Sequence, residues 1–268
     1  MKNMFRKISS MYNRFIFSEF KDRRGVTRPK MILKKIGNGM TGFESVNIDG
    51  TSIFGNTEIG QFSKLYTFGY VEELEYIRFL DKKLSEKDSL LDIGAYYGLW
   101  ASYFAERLSR VVAVEPNPNG RAFLSFNRDY YNRQFEIKKF ALGSKEEQAE
   151  LNIPNTDLGH ASLAESNGET VSVDMKTADS QFSDFDAVKI DVEGAELEVL
   201  RGASSLLETI EILFLELHSS ELLDGFNTSK KEVVDFISDK GFEIYTVENG
   251  ELTDFEIGEG NQKLVCMK

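Results

Sequence analysis

Four short stretches of this 268-residue chain carry side chains that could do chemistry together. The first reads Leu91-Asp92-Ile93-Gly94-Ala95-Tyr96-Tyr97-Gly98, an acid at a strand end followed by a glycine-flanked turn into a helix. Glycine lets a ligand approach the backbone, and a helix start offers free N–H groups to a carboxylate or phosphate. The second is an apolar run ending in an acid, Val111-Val112-Ala113-Val114-Glu115, with Pro116 and Asn117 after it. Glu115 follows Asp92 by 23 residues, where a carboxylate can accept hydrogen bonds from both hydroxyls of a ribose. Together these features specify a nucleoside cofactor. A dinucleotide site normally shows G-x-G-x-x-G, whereas the spacing here is Gly94-x-x-x-Gly98. Asp92 would oppose a pyrophosphate but suits the ammonium of a methionine, which favours S-adenosylmethionine (SAM).

The other two stretches supply acids and a base. Asp191 ends a strand, with Glu193 in the turn that follows, and Glu216 and His218 lie two apart near the end of the next strand. Methyl transfer from a sulfonium is an in-line displacement, and a neutral alcohol gains from a general base within hydrogen-bond reach. A neutral His218 would have a proton affinity suited to that task. Asp191 could take the proton, orient His218 or help bind a metal. A mononuclear oxygen-ligated metal on Asp191 and Glu216 is compatible with the spacing, which does not require one. His160, in an irregular insert, is a candidate substrate contact. Architectural readings stand beside each: Asp92 as a helix cap, Asp191 and Glu193 fixing a turn, His218 ending its strand, His160 on a surface loop.

These residues need a frame that brings strand ends together. Strands are expected at 89–92, 111–115, 135–140, 187–191, 210–217, 242–247 and 263–267. Helices are expected at 71–85, through about 108, and at 120–131, 195–207 and 230–240, with two further strands around a long loop in 147–173. Alternation of this kind indicates a mostly parallel sheet covered on both faces, with the ligand outside the strands' carboxyl ends. Residues 42–70 read as short strands punctuated by glycines.

Composition narrows the function. The single cysteine, Cys266, excludes a disulfide framework and multi-thiolate zinc sites, and fits a reducing, cytoplasmic setting. Residues 1–40 hold 11 basic and two acidic residues, a charge of +9 within a whole-chain net of −12, leaving −21 on the remainder. Such an acidic body repels phosphates, so no nucleic-acid partner is expected.

Four blocks in order, DIGAYYG (92–98), AVEPNP (113–118), KIDVEGAELEVLRG (189–202) and FLELHS (214–219), resemble the FkbM family of SAM-dependent methyltransferases. The likeness spans roughly residues 70–245. It implies an α/β, Rossmann-like class I methyltransferase fold with a mostly parallel seven-stranded sheet, helices on both faces, and an N-terminal helical and strand extension. It also implies SAM as cofactor and, usually, O-methylation, often of sugars or glycan-containing products. N-methylation, or nucleoside binding without turnover, are the alternatives. By motif matching, Asp92, Gly94, Ala95, Tyr96 and Gly98 form the loop for the methionine and adenosine parts, and Glu115, Pro116 and Asn117 serve the ribose. Members of the family often carry Asn where this chain has Tyr96. After the third strand, Phe140-Ala141-Leu142 offers no carboxylate for the adenine amine, so a backbone or nearby side-chain contact around Leu142 serves there, or the ring packs against apolar residues.

Three segments follow: a basic arm (1–40), lead-in strands and helix (41–85), and the catalytic domain (86–268). In the arm, Met4, Phe5, Ile8, Met11, Tyr12, Phe15 and Ile16 recur at helical steps among basic residues. An interfacial helix has this pattern, which points to peripheral contact through residues 4–30 at the inner face of a membrane. The same face could instead dock on the acidic body or pair two copies as a homodimer.

Overall fold

The computed structural model describes residues 43–57, 60–69, 71–154, 161–164 and 168–268. The basic arm and His160 lie outside the described residues. Residues 44–268 form one compact unit, so the lead-in shares its core with the segment that follows. Among the described residues no helix is long and apolar enough to cross a membrane.

The lead-in comprises β1 (Phe43–Ile48) and β2 (Thr51–Asn56), paired with each other, then α1 (Gly60–Phe68) and α2 (Glu73–Lys83). Helix α1 falls where the glycine spacing suggested strand. Phe62 and Leu65, three residues apart and both buried, give it an inward stripe that only a helix presents.

The main body continues with β3 (Ser89–Ile93), α3 (Leu99–Phe104), β4 (Arg110–Val114), α4 (Pro118–Tyr130) and β5 (Glu136–Lys138). A three-stranded side sheet follows, built from β6 (Ala141–Leu142), β7 (Glu147–Pro154) and β8 (Gly168–Lys176). Next come α5 (Ala178–Gln181), β9 (Ala187–Ile190), α6 (Glu196–Gly202), α7 (Leu206–Thr209) and β10 (Ile212–Leu217). The chain closes with α8 (Ser220–Asp224), α9 (Lys230–Asp239), β11 (Glu243–Glu248), β12 (Glu251–Asp254) and β13 (Gln262–Met267).

The large sheet runs β12-β11-β13-β10-β9-β3-β4-β5. Neighbours from β10 to β5 are parallel, and β13 is antiparallel to both β10 and β11. The sheet thus has eight strands rather than the expected seven. The extra one, β12, returns along β11 through Asn249-Gly250, both at positive φ (54° and 81°), a tight hairpin turn that few other residue pairs adopt.

Two further elements differ from expectation. The helix expected at 195–207 breaks into α6 and α7 around Gly202-Ala203-Ser204-Ser205, where the glycine and the two serines are weak helix formers. The third strand stops at Lys138, and Ala141–Leu142 pairs with β8 in the side sheet.

The strands alternate between two cores. Leu90, Val111, Ala113, Ala187, Ile212 and Phe214 join one with α2 and α3, while Leu91, Ile93, Val112, Val188, Leu213 and Leu215 join the other with α6 and α9. Helices therefore cover both faces. In the parallel strands three charged side chains interrupt the first face: Asp92, Lys189 and Glu216.

Candidate active site

Register decides what each of these side chains meets, and Lys189 lies opposite Phe214, two residues short of Glu216. Asp92 of β3 pairs with Lys189 of β9, and Glu216 of β10 pairs with Lys263 of β13. A buried strand of a parallel sheet normally reads as a continuous apolar run, so Lys189 within Ala-Val-Lys-Ile requires a partner. Lys189 Nζ lies 3.2 Å from Asp92 Oδ1 and 3.5 Å from Asp191 Oδ2, and donates to the Gly94 carbonyl at 2.7 Å. Burial lowers its proton affinity, but Asp92, Asp191 and Glu73 outweigh that and hold the ammonium above its usual range. Asp92 is wholly buried and also accepts from the Ala101 N–H at 3.1 Å. It anchors the turn from beneath and does not line the cavity above, a correction to its expected place against a methionine ammonium.

That cavity opens at the carboxyl ends of β3, β4, β9 and β10, with about 1100 Å³ of empty space that includes its open mouth. One wall is the glycine turn. Gly94 and Ala95 donate to the Val114 carbonyl at 2.9 and 3.1 Å, which pins the turn to β4. Gly94 has φ +76°, and a Cβ there would lie 1.7 Å from the Asp191 carbonyl oxygen, so no other residue fits. Tyr96 also has positive φ (46°). Asn tolerates that region better than Tyr.

Glu115 faces this turn. Its Oε2 accepts from Tyr96 N–H at 2.6 Å and its Oε1 from Asn117 N–H at 2.7 Å. Burial pushes its carboxyl up to about 7 against the pull of those two donors. Pro116 and Leu142 line the cavity beside it, with Val114 and Ala141. Gly98 and Asn117 do not line it. They cap the helices behind it, Gly98 before α3 and Asn117 before α4, where its side chain accepts from Asn119 N–H.

Across the cavity stand Asp191, Glu193, Glu216 and His218, all of which line it. The imidazole of His218 is buried, with Nδ1 2.7 Å from Glu196 Oε1 and Nε2 3.4 Å from Glu193 and 3.8 Å from Asp191. Burial disfavours its charge, but the Glu196 hydrogen bond and the three carboxylates raise it to about 10. The expected neutral base is therefore an imidazolium, because each nitrogen faces an acid. Glu193 sits at φ +55° in the turn before α6, and its carbonyl accepts from the Ser162 hydroxyl at 3.1 Å. Ala161 and Leu163 also line the cavity, so the insert beside His160 reaches the site.

Two charged lining residues escaped the sequence reading. Lys189 is one. The other is Glu73, the first residue of α2, which is 4% exposed and accepts from Trp100 Nε1 at 3.0 Å. Burial first, and then Asp191, raise its carboxyl to about 7. A signal existed: Glu73 precedes Ile77 and Leu80 by four and seven residues, which places it on the helix's inward face.

The family described as Methyltransferase FkbM domain matches residues 92–244. The chain is 24% identical over 215 residues to the hexuronic acid methyltransferase AglP of Haloferax volcanii, covering 75% of this chain and 87% of that protein. Among solved structures it is similar to a TehB-like SAM-dependent methyltransferase from Corynebacterium glutamicum, at 12% identity and TM-score 0.47 over 78% of this chain and 94% of that one. It is also similar to a precorrin-6y C5,15-methyltransferase from Geobacter metallireducens, at 13% identity and TM-score 0.44 over 74% and 88%. With the matched domain spanning more than half of its residues, the chain belongs to the FkbM methyltransferase family.

Proposed function

We propose that this protein is a SAM-dependent O-methyltransferase acting on a hydroxyl of a sugar, a glycan intermediate or a related metabolite. The observation that carries this reading is one cavity with a nucleoside-type wall, Gly94 to Tyr96 with Glu115, facing an acidic wall of Asp191, Glu193 and Glu216. The residues fit the cofactor. Gly94 lets the turn pack tightly against the Asp191 carbonyl, Glu115 presents a carboxylate at the end of β4, and the acidic lining suits a cation.

When bound, SAM supplies a methyl group on a positively charged sulfur. The protein's own work is binding, orientation and proton handling. Glu115, held by two backbone donors, would accept the ribose hydroxyls, and the apolar Val114, Ala141 and Leu142 would hold the adenine. Asp191, whose side chain is 18% exposed and steadied by Lys189, is placed to take the acceptor's proton. His218 bridges Asp191, Glu193 and Glu196 and acts as a positioning residue. The relative AglP methylates a hexuronic acid by its name, which supports a sugar-type acceptor here.

The test is incubation with methyl-labelled SAM and hexuronate-containing oligosaccharides, read by mass spectrometry. Label on an ether oxygen is expected. Label on nitrogen, or bound SAM with no transfer to any such acceptor or to a small-molecule extract, would overturn the O-methyltransferase reading.

A further inference from the structure

The carboxylates around this cavity outnumber the cations that could balance them. Among the described residues, Asp92, Asp191, Glu73, Glu196 and Glu216 are met by Lys189, Lys263 and His218. Buried charge that is not matched is strongly unfavourable, so the cluster calls for added positive charge. Two candidate triads share Asp191.

In one triad, Asp191 and Glu193 approach His218 Nε2, and the imidazolium already bridges them. The other consists of Glu73, Asp191 and Glu216, each offering an oxygen within 4.8 Å of the others. Here the deficit is visible in individual atoms. Glu73 Oε1 is held by Trp100, but its Oε2 is buried without a hydrogen-bond partner. Glu216 Oε1 accepts from Asn261 Nδ2 at 3.3 Å, and Oε2 has only Lys263 Nζ at 3.5 Å. Both residues are more than nine-tenths buried and line the cavity.

We infer that Glu73, Asp191 and Glu216 form a binding site for a hard divalent cation of the magnesium, manganese or calcium class. All three ligands are oxygens, as such ions prefer, and the open cavity leaves room for waters or an acceptor hydroxyl to complete the shell. Glu73 comes from the lead-in, outside the matched domain, which gives α2 a role in the site. Cation binding goes beyond the proposed methyl transfer and is measurable without an acceptor or SAM.

The experiment titrates Mn²⁺ alone into chelator-treated full-length protein, following free Mn²⁺ by electron paramagnetic resonance and binding heat by calorimetry. One saturable site per chain is expected. Glu73→Gln keeps a carbonyl for Trp100 but removes the charge, and should weaken binding by more than about tenfold. Glu216→Gln should do the same, and it carries the test if Glu73→Gln does not fold by circular dichroism. Absence of saturable binding at millimolar Mn²⁺ would overturn the proposal, as would binding that neither variant weakens. Binding lost in Glu193→Gln but kept in Glu73→Gln would also overturn it, moving the ion to the His218 triad. If no Mn²⁺ binds while Glu73→Gln lowers SAM affinity, the cluster holds an ammonium group instead.

Discussion

Replacing Lys189 with Met should expose how the site's floor is held. The substitution keeps the apolar stem but deletes the ammonium that pairs with Asp92 at 3.2 Å and Asp191 at 3.5 Å and bonds the Gly94 carbonyl at 2.7 Å. Asp92, with no exposed surface, would then keep only the Ala101 N–H. Removing one partner of a buried pair typically costs about 3–5 kcal/mol. For a chain of this size that lowers the midpoint by roughly 10 °C, readable by calorimetry. Burial already raises the Asp92 carboxyl above its ordinary 3.8, and loss of Lys189 would raise it further. An acid with a raised folded value favours the fold when protonated. The deficit of Lys189→Met should therefore be largest at alkaline pH and shrink as pH falls toward the unfolded value. The double variant Asp92→Asn, Lys189→Met should recover about 1–2 kcal/mol relative to Lys189→Met alone. A single-variant loss within about 0.5 kcal/mol of wild type, or strict additivity of the two changes, would refute the reasoning.

Three other outcomes are expected. Gly94→Ala places a Cβ against the Asp191 carbonyl at φ +76°, so it should lose more than about 2 kcal/mol and most SAM affinity in a thermal-shift titration. Glu115 must be ionised to accept ribose hydroxyls, so SAM affinity measured by calorimetry should fall up to about tenfold per unit as pH drops below 7, and Glu115→Gln should flatten that slope. In the free protein the sign reverses, because the raised carboxyl's stability is present below 4.5 and lost as pH rises through about 7. Asn127, fully buried, bonds Phe54 N–H at 2.7 Å, Phe54 C=O at 2.9 Å and Tyr97 C=O at 2.8 Å, tying β2 to the glycine turn. Its replacement by Ala should cost about 3 kcal/mol, seen as a lower urea midpoint with unchanged slope.

Periodicity carried much of the fold in the sequence. The apolar runs ending in Asp92, Glu115 and Asp191 end at one edge of the sheet because parallel strands bring their carboxyl ends together. Glu115, Asp191, Glu193, Glu216 and His218 were readable as a set for that reason. Their electrostatics were not, since the state of His218 depends on Glu196, 22 residues away in the chain, meeting Nδ1 at 2.7 Å. Asp92 was misplaced because an acid at a strand end looks the same whether it faces a ligand or a lysine on the next strand. That lysine was the neglected clue, an ionisable residue inside an apolar strand. Glu73 was hidden differently. It lies before the recognisable blocks, and only the packing of α2 on the first core face brings it to Trp100 and Asp191. The Asn249-Gly250 dipeptide was a clear hairpin signal, and it accounts for the eighth strand.

The most direct test of the account is calorimetric titration of SAM and of its demethylated product into wild-type protein and Glu115→Ala. Both ligands should bind the wild type, and at about 100 times Kd each should stabilise it by roughly 2.7 kcal/mol. Glu115→Ala should lose most of that gain while its fold without ligand stays intact. If neither ligand binds at millimolar concentration, or if NAD stabilises the protein in their place, the assignment of this cavity to SAM is contradicted.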